Sequence, residues 1–164
     1  MHNGVRSSLG QGVGRRKARG DFLATPVFRV PQANLARTYM TTLLYVDDEV
    51  TIGRVVSRFF TRRGDVVLLA HSIAEAREHL EREDPAVLFI DVWIGAESGF
   101  ELLSWIDETH PHLTERVTFV TGEDIGGNDP ARLTRTLGRP FIQKPFELSR
   151  LAESLDDAER RVQA

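Results

Sequence analysis

From Thr42 onward, short apolar runs alternate with amphipathic stretches, and few architectures accept that alternation. The runs cover residues 43–46, 66–69, 87–90, 117–120 and 141–142. Runs this short and this continuously apolar read as strands buried on both faces, the situation of a parallel sheet covered by helices. Between them Ile52, Val55, Val56, Phe59 and Phe60 recur at helical spacing. Ser72 with Glu75 three residues on forms a capping box. Ser98 opens a third helix holding Phe100, Leu102, Leu103 and Ile106. Asn128 or Asp129 before Pro130 starts a short fourth, because proline is favoured in a first turn. Residues 147–161 form the last, with Leu148, Leu151 and Leu155 on one face. The predicted fold is α/β: a (βα)5 doubly wound sheet of five parallel strands.

Length and composition fit one such domain: 164 residues, 41% hydrophobic and 27% charged, with no cysteine. Disulfides and thiolate metal or redox sites are therefore excluded. No apolar run approaches membrane-spanning length and the N-terminus lacks the apolar core of a secretory signal, so the expected location is cytoplasmic with no membrane partner. The charge is split. Residues 1–39 carry seven Arg/Lys against one Asp, a net +6, whereas residues 40–164 carry fourteen Arg/Lys against twenty-three Asp/Glu, a net −9. The first segment is rich in Gly, Arg and Ser without sustained periodicity. It is read as a basic, disordered tail or an overextended start before Met40, with the folded domain at 40–164. Within it, 10–14 mimics a phosphate loop and 15–19 a nucleic-acid patch, but no strand or helix flanks the glycines.

Ligands of open α/β sheets sit outside the carboxyl ends of the strands, where strand order reverses. After the first run come Asp47 and Asp48; after the third, Asp91; after the fourth, Thr121; after the fifth, Lys144 and Pro145. Only the second end, Ala70-His71, adds no obvious chemistry. Three carboxylates from two neighbouring strands suit a hard divalent cation, Mg2+ before others. A cation with one ammonium and one hydroxyl nearby points to phosphoryl chemistry, and a carboxylate there can become an aspartyl phosphate. Asp91, alone at the end of the central strand, is the candidate nucleophile. Glu49 reads as a helix-start acid rather than a ligand.

The ordered set Asp47-Asp48, Asp91 with Gly99 eight residues later, Thr121-Gly122 and Lys144-Pro145-Phe146 resembles the receiver domain of two-component response regulators. The resemblance covers residues 40–162. It implies the flavodoxin-like strand order 2-1-3-4-5, and a phosphoryl group passed to Asp91 from a phosphohistidine on a histidine kinase or a histidine phosphotransfer protein. It further implies Mg2+ held by Asp47, Asp48, Asp91 and the backbone carbonyl of Trp93. Thr121, Lys144 and the Gly122 amide would bind phosphoryl oxygens, with a cis peptide before Pro145. Thr121 and Phe141 would form the switch, and a phosphorylation-dependent dimer is a further implied readout. The first helix belongs to the kinase-docking face in such domains; Arg54, Arg58 and Arg62 could serve it, although a solvated face is the simpler account.

Departures from the pattern matter. Ile94-Gly95 replaces the usual Met-Pro, which predicts a more mobile loop, and Trp93 is bulky beside the acceptor, as a shield for the acyl phosphate or as a plain rim aromatic. Phe141 lacks a hydroxyl with which to report its burial. Gly126-Gly127 would let the following segment rearrange, or simply make a turn. His110 and His112 read as loop histidines. The expected function is a phosphorylation-dependent switch or phosphorelay receiver acting on a downstream protein. The chain ends soon after the last helix, so no output or DNA-binding domain is expected. Receivers of hybrid sensor kinases are similar in the Gly138-Arg139-Pro140-Phe141 segment. Beyond self-phosphorylation and autodephosphorylation it would not be an enzyme. Two alternatives stand beside this: an aspartyl-phosphate hydrolase of small substrates, whose second acid two residues on is here Trp93, and a nonphosphorylated interaction module.

Overall fold

The computed structural model describes residues 40–122 and 138–162. The predicted tail, the Gly126-Gly127 pair and the helix start at Asn128, Asp129 and Pro130 lie outside the described residues. In chain order the described elements are β1 (Thr42–Val46), α1 (Val50–Arg62), β2 (Val66–Ala70), α2 (Ile73–Leu80), β3 (Val87–Asp91), β4 (Trp93–Ile94), β5 (Glu97–Ser98) and α3 (Gly99–Thr109). A 3-10 turn (Pro111–Arg116), β6 (Val117–Thr121), β7 (Phe141–Gln143) and α4 (Leu148–Val162) follow.

The five principal strands pair in parallel in the order β2-β1-β3-β6-β7. Counting only those five, this is the 2-1-3-4-5 order, with each strand at its expected place. The centre of the sheet is apolar on both faces because both are covered. Leu44, Val46, Leu88, Ile90 and Phe119 pack with Ala76 of α2 and with Leu102 and Ile106 of α3. Leu43, Tyr45, Val87, Phe89 and Val120 pack with Phe60 of α1 and with Leu151 and Leu155 of α4. Alternate residues of each strand thus feed opposite cores. Full burial of a side chain such as Phe60 or Leu102 contributes about 1.5–3 kcal/mol.

Local chemistry sets the helix starts. The Ser72 hydroxyl accepts from the Glu75 amide at 3.1 Å, and the Glu75 carboxylate reaches back to the His71 amide at 2.7 Å, one residue beyond the usual capping-box partner. Ser98 caps α3 through the Phe100 amide at 3.3 Å.

Two features lie outside the predicted pattern. β4 and β5 pair as a short antiparallel hairpin, Trp93 opposite Ser98 and Ile94 opposite Glu97, with Gly95 at φ +61° in its turn. Ile94 is buried in the core. The segment expected to be loose is therefore paired and anchored. The 3-10 turn at Pro111–Arg116 buries Leu113 and leads directly into β6.

Candidate functional site

β1 lies between β2 and β3 at the point where strand order reverses, so its carboxyl end opens a crevice. Backbone hydrogen bonds carry the ladder past the strand ends. The Asp47 amide donates to Ala70 at 3.0 Å, the Val92 amide to Val120 at 3.1 Å and the Lys144 amide to Thr121 at 2.7 Å. Those bonds bring Asp47, Asp91, Thr121 and Lys144 to one edge. An open cavity of about 280 Å³ there is bordered by Asp48, Asp91, Trp93, Thr121, Gly122 and Lys144.

Lys144 is the hub of the cluster. Its Nζ lies 2.7 Å from Asp91 Oδ2, 2.7 Å from Asp47 Oδ2 and 3.2 Å from Glu49 Oε1. The other Asp91 oxygen accepts the Trp93 amide at 3.1 Å, so both oxygens of this carboxylate are held. On Asp47, Oδ1 accepts the Glu49 amide at 2.9 Å and Oδ2 the Tyr45 hydroxyl at 2.8 Å. Asp47 and Asp91 are buried and Asp48 is exposed, at the mouth. One carboxylate oxygen from each of these three lies within 4.8 Å of the others, close enough to share a cation, and theirs is the one acid or histidine grouping of that kind among the described residues. A hard oxygen-seeking ion such as Mg2+ fits this donor set.

Burial pushes the Asp91 carboxyl above its ordinary pKa, while the bonds from Lys144 and Trp93 pull the other way. For Lys144, burial works against the charge, but the hydrogen bonds it donates to Asp47 and Asp91 outweigh that and hold the ammonium above the usual lysine range. Burial, reinforced by the Asp47 carboxylate, raises the Tyr45 phenol far above its ordinary value and keeps it a donor.

The remaining expected residues fall as follows. Thr121, buried, ends β6. At Gly122 an added Cβ would come no closer than 3.8 Å to Lys144, an ordinary contact, so packing alone does not require glycine there. The Lys144–Pro145 peptide is cis. Trp93 is 48% exposed on the rim. Gly99 has a plain reason to be glycine: a Cβ would stand 2.1 Å from the Asp91 carbonyl oxygen, so only a residue without one lets α3 begin against Asp91. Phe141 does not border the cavity; half-buried, it pairs in register with Phe119 and packs against the α2–α3 core. Arg54, Arg58 and Arg62 are exposed on α1. His112 faces Asp84 at 3.3 Å, away from any acid grouping that could hold a metal.

Sequence reasoning missed three participants. Glu49 is a helix-start residue, as read, but also grips Lys144. His71, dismissed at the second strand end, places Nδ1 2.9 Å from the Asp47 carbonyl. Tyr45 read only as strand core. Its signal was available, because a period of two puts residues 45 and 47 on one face of β1.

A family model described as response regulator receiver domain matches residues 43–156. The chain is 32% identical over 113 residues to the heme response regulator HssR of Staphylococcus saprophyticus, an alignment covering 68% of this chain and 48% of that one. It is 28% identical over 121 residues to the probable transcriptional regulatory protein TcrX of Mycobacterium tuberculosis, covering 74% and 50%. A crystal structure of a response regulator receiver domain protein from Clostridium thermocellum matches with a TM-score of 0.63 at 27% identity, over 76% of this chain and 98% of that one. The chain spans about half the length of the curated relatives it matches.

Proposed function

The chain belongs to the response regulator receiver domain family, and on that premise we propose that it is a phosphorylation-dependent switch or phosphorelay receiver whose acceptor is Asp91. The observation that carries this reading is the Lys144 ammonium, 2.7 Å from Asp91 Oδ2 in the cavity that Thr121 and Gly122 also border. Asp47, Asp48, Asp91 and the Trp93 backbone carbonyl would hold Mg2+, which supplies positive charge against the phosphoryl oxygens.

The donor is a phosphohistidine of a histidine kinase or histidine phosphotransfer protein. An Asp91 oxygen attacks phosphorus; the O–P bond forms as the P–N bond breaks, and the imidazole leaves with the electron pair. Lys144, already aimed at Asp91, moves one donor onto a phosphoryl oxygen, and the Thr121 hydroxyl and Gly122 amide donate to the others. All three groups border the same cavity as Asp91, so each has only a short way to go to reach a phosphoryl oxygen. The signal then passes to a downstream protein, with dimerisation on phosphorylation as one route. The exposed arginines of α1 favour docking of an acidic kinase surface.

The test is to incubate the full chain with acetyl phosphate and Mg2+ and compare it with Asp91→Asn by intact mass. One added phosphoryl group in the wild type and none in the variant is expected. An unlabelled wild type, under conditions that label known receivers, overturns the proposal.

A further inference from the structure

Among the buried polar groups around the cluster, Tyr45 takes no part in the chemistry above. Its hydroxyl nevertheless donates to Asp47 Oδ2 at 2.8 Å from a side chain only 1% exposed. The terminal torsion of an aspartate is broad, so its two oxygens need fixed donors if the carboxylate is to keep one orientation. Oδ1 has one in the Glu49 amide at 2.9 Å. Oδ2 has two, the phenol and Lys144, but Lys144 is divided among Asp47, Asp91 and Glu49. The phenol is not divided: its ring is set in the same core cluster as Phe60 and Leu151.

We infer that Tyr45 is a positioning residue for cation binding, holding the Asp47 carboxylate towards Asp48 and Asp91 and keeping it there when Lys144 turns to a phosphoryl group. The inference rests on the reading of the acid cluster as the cation site. A donor behind a ligand fixes that ligand's orientation before the ion arrives, and losing such a donor weakens metal binding.

The full chain is titrated with MgCl2 while tryptophan fluorescence is followed, for wild type, Tyr45→Phe and Leu43→Ala. Leu43 belongs to the same strand and the same core cluster without the hydroxyl, and so controls for packing. Tyr45→Phe is expected to bind at least about 10-fold more weakly. Leu43→Ala is expected to lower the thermal midpoint and leave the dissociation constant unchanged. A Tyr45→Phe constant within about twofold of wild type, well short of that loss, overturns the inference and leaves the cation reading standing. A wild type with no saturable response to Mg2+ overturns that reading, and this inference with it.

Discussion

Burial raises the proton affinity of Asp91 and Lys144 only partly offsets it, so its ionised form is strained in the folded protein without a cation. Between the ordinary carboxylate value and the raised one, the folded chain holds more protons than the unfolded chain. Stability therefore falls as pH rises through that window, and the penalty is complete above it. Asp91→Asn removes the penalty. In chelator at pH 7 it should be more stable than wild type by about 0.5–2 kcal/mol in urea unfolding, with the gap closing as pH falls below the carboxylate range. Trp93 poses a different question on the same rim. If its exposed ring keeps water from the acyl phosphate, Trp93→Ala should shorten the phosphoryl lifetime several-fold, read as decay of the labelled mass after excess acetyl phosphate is removed. An unchanged decay makes it a rim aromatic and nothing more. At this scale the sequence was informative wherever a polar residue closely follows an apolar run: Asp47, Asp91 and Thr121 directly, and Lys144 one residue later. Tyr45 was overlooked although its spacing from Asp47 was there to read, and Glu49 and His71 were opaque for physical reasons. A tyrosine inside an apolar run looks like core, and the Glu49–Lys144 contact joins residues that only the closed sheet brings together.

Elements built on periodicity were legible: five strands, α1 to α3 and α4 stand where their patterns put them, and both serine caps hold. The β4–β5 hairpin was not, since strands of two residues leave no period to count. The 3-10 turn was hidden likewise, its Pro-His run resembling any loop. That hairpin and the start of α3 form a tight assembly beside Asp91, and its two glycines should respond differently. Gly95 has open space around it but φ +61°, so Gly95→Ala meets only the left-handed backbone strain, about 1–2 kcal/mol. At Gly99 the new Cβ would stand 2.1 Å from the Asp91 carbonyl oxygen, a backbone atom that cannot swing away. Gly99→Ala should therefore cost about 3 kcal/mol or more in urea unfolding, as α3 is forced off β3. It should also slow labelling by acetyl phosphate, because the Asp91 backbone moves with it. Equal losses for the two substitutions would contradict the close approach of α3 to Asp91.

Across the whole domain, the proposed cation ties together β1 and β3, neighbouring strands that both contribute to the two cores. Its ligands are scattered along the unfolded chain, so an ion bound at the cluster stabilises the folded state alone. Such linkage gives about 2.7 kcal/mol at a hundredfold excess over the dissociation constant. For a domain of this size that is a rise of about 5–10 °C in the thermal midpoint. The rise should reverse in chelator. NaCl at matched ionic strength should produce little of it, because screening eases repulsion among the acids without occupying their oxygens. Asp47→Asn separates the two effects further. It removes a buried ligand together with the Lys144 ion pair, so the metal-free variant should lose stability while its response to Mg2+ largely disappears. A shift that NaCl reproduces, or that survives in Asp47→Asn, would mean that the acids are relieved by salt and hold no ion of their own.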